Sequence, residues 1–395
     1  MTSPSDLILQ WRDVPVERLA LQLAGRTDLD VPYVLRQVEG WQRLRTKVPS
    51  WAAIGALEYP HRLALEQCSG EQAARHKAQV VGRLIQATGH CDSMVDLTGG
   101  LGVDFSFVSP LFKRSVYVER QESLCRTARH NFPLLGLKNA EIICGDGVDH
   151  LRRMPSADLI FLDPARRDSA GHKTVLIEDC EPDVCKLQNL LLEKAEAVVL
   201  KLSTMLDIAG AVKSLHHVSD VHVVSVGGEC KDLLVVMRRG WDASPLMHAV
   251  EGTSELCFTL EEEASAPCEW AELMGRYLYE PGPAVLKSGA FRLAAHRYAL
   301  RKLHPNSHLY TSDMLHEDFP GRVFEVKATY GFGKRDLKEL KSHLQQANLT
   351  VRNFPSSVDA LRKKLKLREG GTTYLFATTM GDSNHHLLIE CTKPQ

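Results

Sequence analysis

Four acidic residues stand where short apolar runs end and turns begin. They are Asp96 in Asp96-Leu97-Thr98-Gly99-Gly100-Leu101-Gly102, Glu119 in Tyr117-Val118-Glu119-Arg120, Asp146 between Gly145 and Gly147, and Asp163 in Asp163-Pro164-Ala165-Arg166-Arg167. The first stretch is a glycine-rich turn between a strand signal, Ser93-Met94-Val95, and a helical run from Val103. Such a turn lets the backbone approach a ligand closely and aims free N–H groups at its polar end, which suits a nucleotide-like molecule. Glu119 lies 23 residues beyond Asp96, a separation at which a carboxylate can accept from two vicinal ribose hydroxyls. Asp146 is placed to accept from an adenine amino group, although its flanking glycines also fit a plain turn. Pro164 fixes the backbone as it leaves its strand and so holds Asp163 over a cleft where a reacting group would lie. Arg166 and Arg167 suit phosphate or carboxylate recognition, or an ion pair with Glu178 or Asp179.

The elements that would position these groups are legible from periodicity. Strand signals at 93–97, 115–119, 140–144, 158–162 and 197–202 alternate with helical stretches or loops, which implies a parallel sheet with crossovers. Two more at 220–226 and 232–238, joined by Gly227-Gly228-Glu229, read as an antiparallel hairpin at its edge. A doubly wound sheet places its ligand at the carboxyl ends of its strands, and every landmark above sits at such an end. Residues 6–58 carry helical spacing, with Asp30 placed to cap a helix that has Pro32 in its first turn. A further helix is predicted from Glu71 to Thr88. Pro245 and the acidic run Glu261-Glu262-Glu263 mark a less regular boundary. Beyond it, a strand at 322–329, a helix at 335–346, strands at 349–353 and 373–379 and a basic helix from Val358 to Leu367 form a compact α+β module.

These motifs resemble those of class I S-adenosylmethionine-dependent methyltransferases over about residues 70–240. The resemblance implies an α/β fold with a Rossmann-like seven-stranded methyltransferase sheet. It also implies that Asp96, Thr98, Gly99, Gly100, Gly102 and Asp104 surround the methionine part of the cofactor, with Glu119 and Arg120 at the ribose and Gly145 and Asp146 at the adenine. Asp163, Pro164 and Arg166 would be the catalytic positions, Asp163 beside the methyl group. Thr98 stands where many members have glycine. A nicotinamide-binding Rossmann domain wants G-x-G-x-x-G, and the glycines at 99, 100 and 102 do not give it. Upstream, Glu66 to Lys77, and downstream Pro320-Gly321-Arg322-Val323-Phe324, Val351 to Pro355 and Leu361 to Leu365, resemble a bacterial family in which the methyltransferase domain is followed by ferredoxin-like and THUMP-like domains. The implied division is an N-terminal helical domain over 1–70, the methyltransferase domain over 71–243, a connector and ferredoxin-like segment over 244–322, and the THUMP-like domain over 323–395. Arg75 or Lys77, a basic pair just before the cofactor domain, is expected to neutralise the cofactor's carboxylate.

Methylation of pyrimidine carbon-5 requires a cysteine nucleophile, and after the fifth strand this chain reads Lys201-Leu202-Ser203, so that chemistry is not expected. Ala165 and Arg166 replace the residues that commonly support amine methylation, leaving Arg166 to stack on a base or bind its phosphate. Lys201 points to the same cleft, as a substrate contact or as a lysine snorkelling from a strand end. His216-His217 and His385-His386 lack a cysteine or acid at ligand spacing, and no metal is expected.

Net charge is −1 over 395 residues, yet from Ala271 onward 19 Lys and Arg face 12 Asp and Glu. A basic C-terminal third, with Lys334-Arg335, Arg352 and Arg362-Lys363-Lys364 interleaved with Phe332, Phe354 and Tyr374, offers phosphate attraction and stacking surface to RNA. A solvated basic helix on a core sheet explains the same residues. Ten cysteines without a C-x-x-C pair, no opening basic and apolar leader, and no run of about eighteen apolar residues point to a cytoplasmic protein without a membrane span. The expected substrate is a structured ribosomal or transfer RNA. The alternatives are methylation of a small molecule or protein, or an RNA-binding protein that no longer catalyses.

Overall fold

The computed structural model describes residues 4–166, 176–381 and 385–394. The chain divides into two compact units, Met1–Ser219 with Asp232–Ala243 and Asp220–Lys231 with Ser244–Gln395. Among the described residues no helix is long and apolar enough to cross a membrane.

The first unit opens with helices Pro4–Trp11, Val16–Leu23, Val31–Lys47, Pro49–Ala52 and Arg62–Gln67. Asp30 caps the longest of these, its carboxylate accepting from the Tyr33 N–H at 3.0 Å with Pro32 in the first turn. Leu44, Val48, Trp51, Leu57, Tyr59 and Leu65 form one buried cluster with Ala74, Leu101 and Val103. The helical segment is thus packed directly under the glycine-rich turn. The helix predicted from Glu71 to Thr88 forms over those residues.

The expected strands form as β1 (Ser93–Asp96), β2 (Arg114–Glu119), β3 (Ala140–Cys144), β4 (Ala157–Leu162), β5 (Ala195–Leu202), β6 (Val218–Val226) and β7 (Glu229–Arg238). In the first unit the order is β7-β5-β4-β1-β2-β3, with β3 through β5 parallel and β7 antiparallel to β5. Strands covered on both faces read as continuous apolar runs, as in Leu159–Leu162 and Val198–Leu200, all nearly inaccessible to solvent. Phe105, Tyr117 and Phe132 pack ring against ring in the same core as Met94, Phe161 and Val199. Strand order reverses between β1 and β4, which opens a crevice outside their carboxyl ends.

In the second unit β6 pairs in parallel with β8 (Leu246–Glu251), which pairs antiparallel with β9 (Ser254–Phe258). The region around Pro245 and Glu261-Glu262-Glu263, expected to be irregular, is therefore strand, strand and helix Leu260–Ser265. The acidic run is a first helical turn, where carboxylates face free N–H groups, and Thr259 with Glu262 closes a capping box. A second sheet holds β10 (Tyr277–Pro281), β11 (Tyr310–Ser312), β12 (Gly321–Gly331), β13 (Asn348–Arg352), β14 (Tyr374–Met380) and β15 (His385–Thr392), in the order β11-β10-β12-β15-β14-β13. Helices Lys334–His343 and Val358–Leu365 bury Leu337, Leu340, Leu361 and Leu365 in one cluster with Leu375 and Leu388. Their other faces expose Lys334, Arg335, Lys338, Lys341, Lys363 and Lys364.

Candidate active site

The turn after β1 is built by hydrogen bonds to β2. Gly99 N–H donates to the Val118 carbonyl at 2.9 Å, and Gly100 N–H to Glu119 Oε2 at 2.9 Å. Gln121 N–H donates to the other oxygen, Oε1, at 2.7 Å, so the buried Glu119 carboxylate is oriented from both sides. A Cβ on Gly99 would stand 2.1 Å from the Tyr117 ring, and one on Gly147 would stand 2.1 Å from the Leu97 carbonyl oxygen. Only glycine lets these turns lie so close. Gly100, at φ +56°, has no atom beyond its chain neighbours within 3.8 Å of where its Cβ would be, so the space over the turn is open. Asp96 is 2% exposed, and burial pushes its carboxyl up to about 8 against the Thr98 N–H that it accepts at 2.9 Å.

Thr98 links two strand ends. Its hydroxyl accepts the Asp163 N–H at 2.7 Å, tying the turn after β1 to the turn after β4 across the switch point. A glycine at 98 could not make this bond. Asp163 itself, half-buried, receives the Lys201 ammonium on Oδ2 at 2.5 Å. Lys201 also stands 3.8 Å from Asp104 Oδ2. Burial alone would lower its pKa, but Asp163, Asp104 and Asp232 raise it far above the usual lysine range and keep it charged.

Asp104 extends this pairing inward. Ser69 donates to its Oδ2 at 2.7 Å, and Lys77 stands 2.9 Å from its Oδ1 and 2.5 Å from Asp232 Oδ2. Burial works against the Asp104 charge, yet Lys77 and Lys201 hold its carboxyl below the usual range. Lys77, expected at the cofactor carboxylate, is fully buried and serves as the internal counter-ion of Asp104 and Asp232. Arg75 is largely exposed, pairs with Glu71 at 2.6 Å on its own helix and covers the Phe107 ring.

Asp146 follows β3 and uses Oδ1 to accept from Val148 N–H at 2.9 Å and Asp149 N–H at 3.0 Å, capping helix Gly147–Arg153. Gly145 N–H bonds the Glu119 carbonyl at 2.9 Å, so the ends of β2 and β3 are joined. Arg120 is exposed and pairs with Glu181 at 3.2 Å. Pro164 is buried at the exit of β4. The Arg166 side chain and all of Arg167 lie outside the described residues. Asp96, Thr98, Gly99, Gly100, Asp104, Glu119, Asp163 and Lys201 thus form one hydrogen-bonded and ion-paired constellation, with Gly145 joined to it through Glu119. Sequence reasoning missed Asp232 and Ser69, and left Lys201 undecided; which side chains face Asp104 depends on how helix Glu71–Thr88 packs against the ends of the strands, which no motif spacing reports.

Family models match a ferredoxin-like domain at residues 277–320 and a THUMP-like domain at 321–393. A crystal structure of a protein from Porphyromonas gingivalis W83, described as a candidate methyltransferase, is 36% identical, with TM-score 0.86 over 100% of this chain and 98% of that one. Two uncharacterised S-adenosylmethionine-dependent methyltransferases of Mycobacterium tuberculosis strains are 24% identical over 323 residues, 80% of this chain and 84% of each relative. With the strand-end carboxylates in place and this whole-length likeness beside them, the chain belongs to the class I S-adenosylmethionine-dependent methyltransferases whose catalytic domain is followed by ferredoxin-like and THUMP-like domains.

Proposed function

We propose that this methyltransferase acts on a structured RNA, ribosomal or transfer, with the THUMP-like module holding the RNA. The observation that carries the assignment of the site is the row of carboxylates at the ends of four adjacent parallel strands, Asp146, Glu119, Asp96 and Asp163 in the order β3-β2-β1-β4. The donor set fits a sulfonium nucleoside. Each Glu119 oxygen spends one lone pair on a backbone N–H and keeps another for a ribose hydroxyl. Asp146 caps its helix through Oδ1 and keeps Oδ2 for the adenine amino group. The open space over Gly100 takes the methionine part.

When bound, S-adenosylmethionine supplies an electrophilic methyl group, so the protein's work is alignment and the removal of a proton where the acceptor carries one. Lys201 fixes the Asp163 carboxylate at the cleft and opposes the burial that raises its pKa, leaving a carboxyl suited to hold or accept a proton from the target. Pro164 and Arg166 complete the substrate side of this reading. Carbon-5 methylation is not proposed, because Leu202-Ser203 follows Lys201 where a nucleophilic cysteine would be needed.

The RNA part rests on the THUMP-like match and on six exposed cations along helices Lys334–His343 and Val358–Leu365. Among the described residues the ten cysteines form no disulfide, which suits work in the reducing cytoplasm. A second reading, methylation of a small molecule or protein, draws on Arg352: together with Arg322 it is engaged by the buried Glu280, at 3.1 Å and 2.8 Å. Lys364 likewise lies 4.0 Å over the Phe332 ring. Labelled methyl transfer to RNA from cells lacking the gene, followed by nucleoside mass spectrometry, tests the choice. Label recovered in one modified nucleoside, lost with Asp163→Ala while RNA binding persists, supports the RNA reading; label recovered only in protein or metabolites overturns it.

A further inference from the structure

Three strands of the second unit carry a polar cluster that methyl transfer does not use. On β6, Asp220 and His222 are two residues apart; on β9, so are Glu255 and Cys257. In register, His248 of β8 lies opposite both His222 and Cys257. Side chains two apart share a face of a strand, so all five groups project from one side of this sheet.

His248 is buried, and its two ring nitrogens are approached from opposite sides. Nε2 is 3.2 Å from Asp220 Oδ1, while Nδ1 is 2.8 Å from Glu255 Oε1 and 3.2 Å from Cys257 Sγ. The His222 ring stacks on it at 4.0 Å with an angle of 13° between planes. A protonated His248 between two carboxylates explains Asp220 and Glu255. It does not explain why carboxylate and sulfur converge on Nδ1, which has a single proton to give. A cation where the nitrogen, oxygen and sulfur meet satisfies all three.

We propose that His248 Nδ1, Cys257 Sγ and the Glu255 carboxylate bind a divalent cation of the zinc class. Their ligand atoms lie within 4.8 Å of one another. Bonds of about 2.0–2.3 Å set tetrahedral edges only a few tenths of an ångström longer than the 2.8 and 3.2 Å separations around Nδ1. Thiolate, imidazole and carboxylate together select zinc-class ions over magnesium or calcium. Asp220 then accepts the Nε2–H, the carboxylate–histidine–metal arrangement that fixes tautomer and ring orientation. Three protein ligands leave a fourth position to water, and exposed Glu255 keeps the site reachable.

The test uses the full-length, metal-stripped protein with Co²⁺ as probe and Zn²⁺ as competitor. One Co²⁺ per chain with tetrahedral visible bands and a thiolate charge-transfer band, both displaced by Zn²⁺, is expected. Cys257→Ser should abolish the charge-transfer band. Glu255→Gln should keep the band, and Asp220→Asn should keep it with affinity lowered about 10–100-fold. Far-ultraviolet circular dichroism checks that each variant is folded. Cobalt that binds without the charge-transfer band, or with affinity unchanged in both Cys257→Ser and Glu255→Gln, overturns the site, as does failure of the folded protein to bind at all.

Discussion

The Lys201 ammonium stands 2.5 Å from Oδ2 of Asp163 and joins the end of β5 to the turn after β4. Removing it frees the carboxylate to swing away from the cleft and leaves Asp104 with one cation fewer. Lys201→Met is expected to lower the rate of methyl transfer about 100-fold, the scale of a small misplacement at a reacting centre. Cofactor affinity by calorimetry should stay unchanged, because Glu119 and Asp146, the residues proposed to hold the nucleoside, are untouched.

Lys77 and Arg75 give opposite expectations although only His76 separates them. Lys77 is buried between Asp104 and Asp232, so Lys77→Met removes the counter-ion that two buried carboxylates share, leaving Asp104 only the more distant Lys201, and should cost about 3–5 kcal/mol in urea unfolding. Arg75→Ala removes an exposed pair on one helix and should cost no more than about 0.5 kcal/mol. Equal losses would contradict the buried pairing.

Asp96 should make stability fall with rising pH. Its carboxyl sits at about 8 in the fold, above its usual 3.8, so the folded protein holds the proton more tightly than the unfolded chain. The associated stability is complete below about pH 4 and is lost as pH rises toward 8, at up to about 1.4 kcal/mol per pH unit. Asp96→Asn, which keeps an oxygen for the Thr98 N–H, should flatten the profile measured by chemical unfolding across this window.

Adjacent glycines of the turn should respond differently. Gly99→Ala drives a methyl into the Tyr117 ring and is expected to cost about 1–3 kcal/mol and to weaken cofactor binding. Gly100→Ala meets no such obstacle and bears only its left-handed backbone, about 1 kcal/mol. Thermal unfolding and calorimetry of the two variants distinguish crowding from backbone strain.

The basic helices predict a salt dependence. If Lys363 and Lys364 each contact a phosphate, Lys363→Glu with Lys364→Glu should reduce the slope of log affinity against log salt by about 1.4 for single-stranded RNA. An unchanged slope would remove this helix from the RNA surface.

The first-unit strands and the helix before β1 were legible because buried parallel strands are uninterrupted apolar runs and the glycine turn is a local signal. Strands β8 and β9 were not. His248, Glu255 and Cys257 break the apolar pattern that would have marked them, and the acidic residues after them resembled a linker although they are a helix's first turn. The strand-end carboxylates could be named from spacing alone, whereas the partnership of Lys201 with Asp163, or of Lys77 with Asp232 across 155 residues, depends on which strands become neighbours. Basic residues near a motif look alike in sequence, and only burial separates the internal counter-ion from the surface pair.

Leu101 and Val103, the residues that flank Gly102, rest on Trp51, Leu57 and Leu65 of the leading helices. A shortened protein beginning at Glu71 would retain every strand-end motif of the methyltransferase sheet and still lose the floor beneath its glycine loop. The motifs alone therefore do not mark out the part of the chain that holds the loop in shape, because part of its support comes from helices that carry none of them.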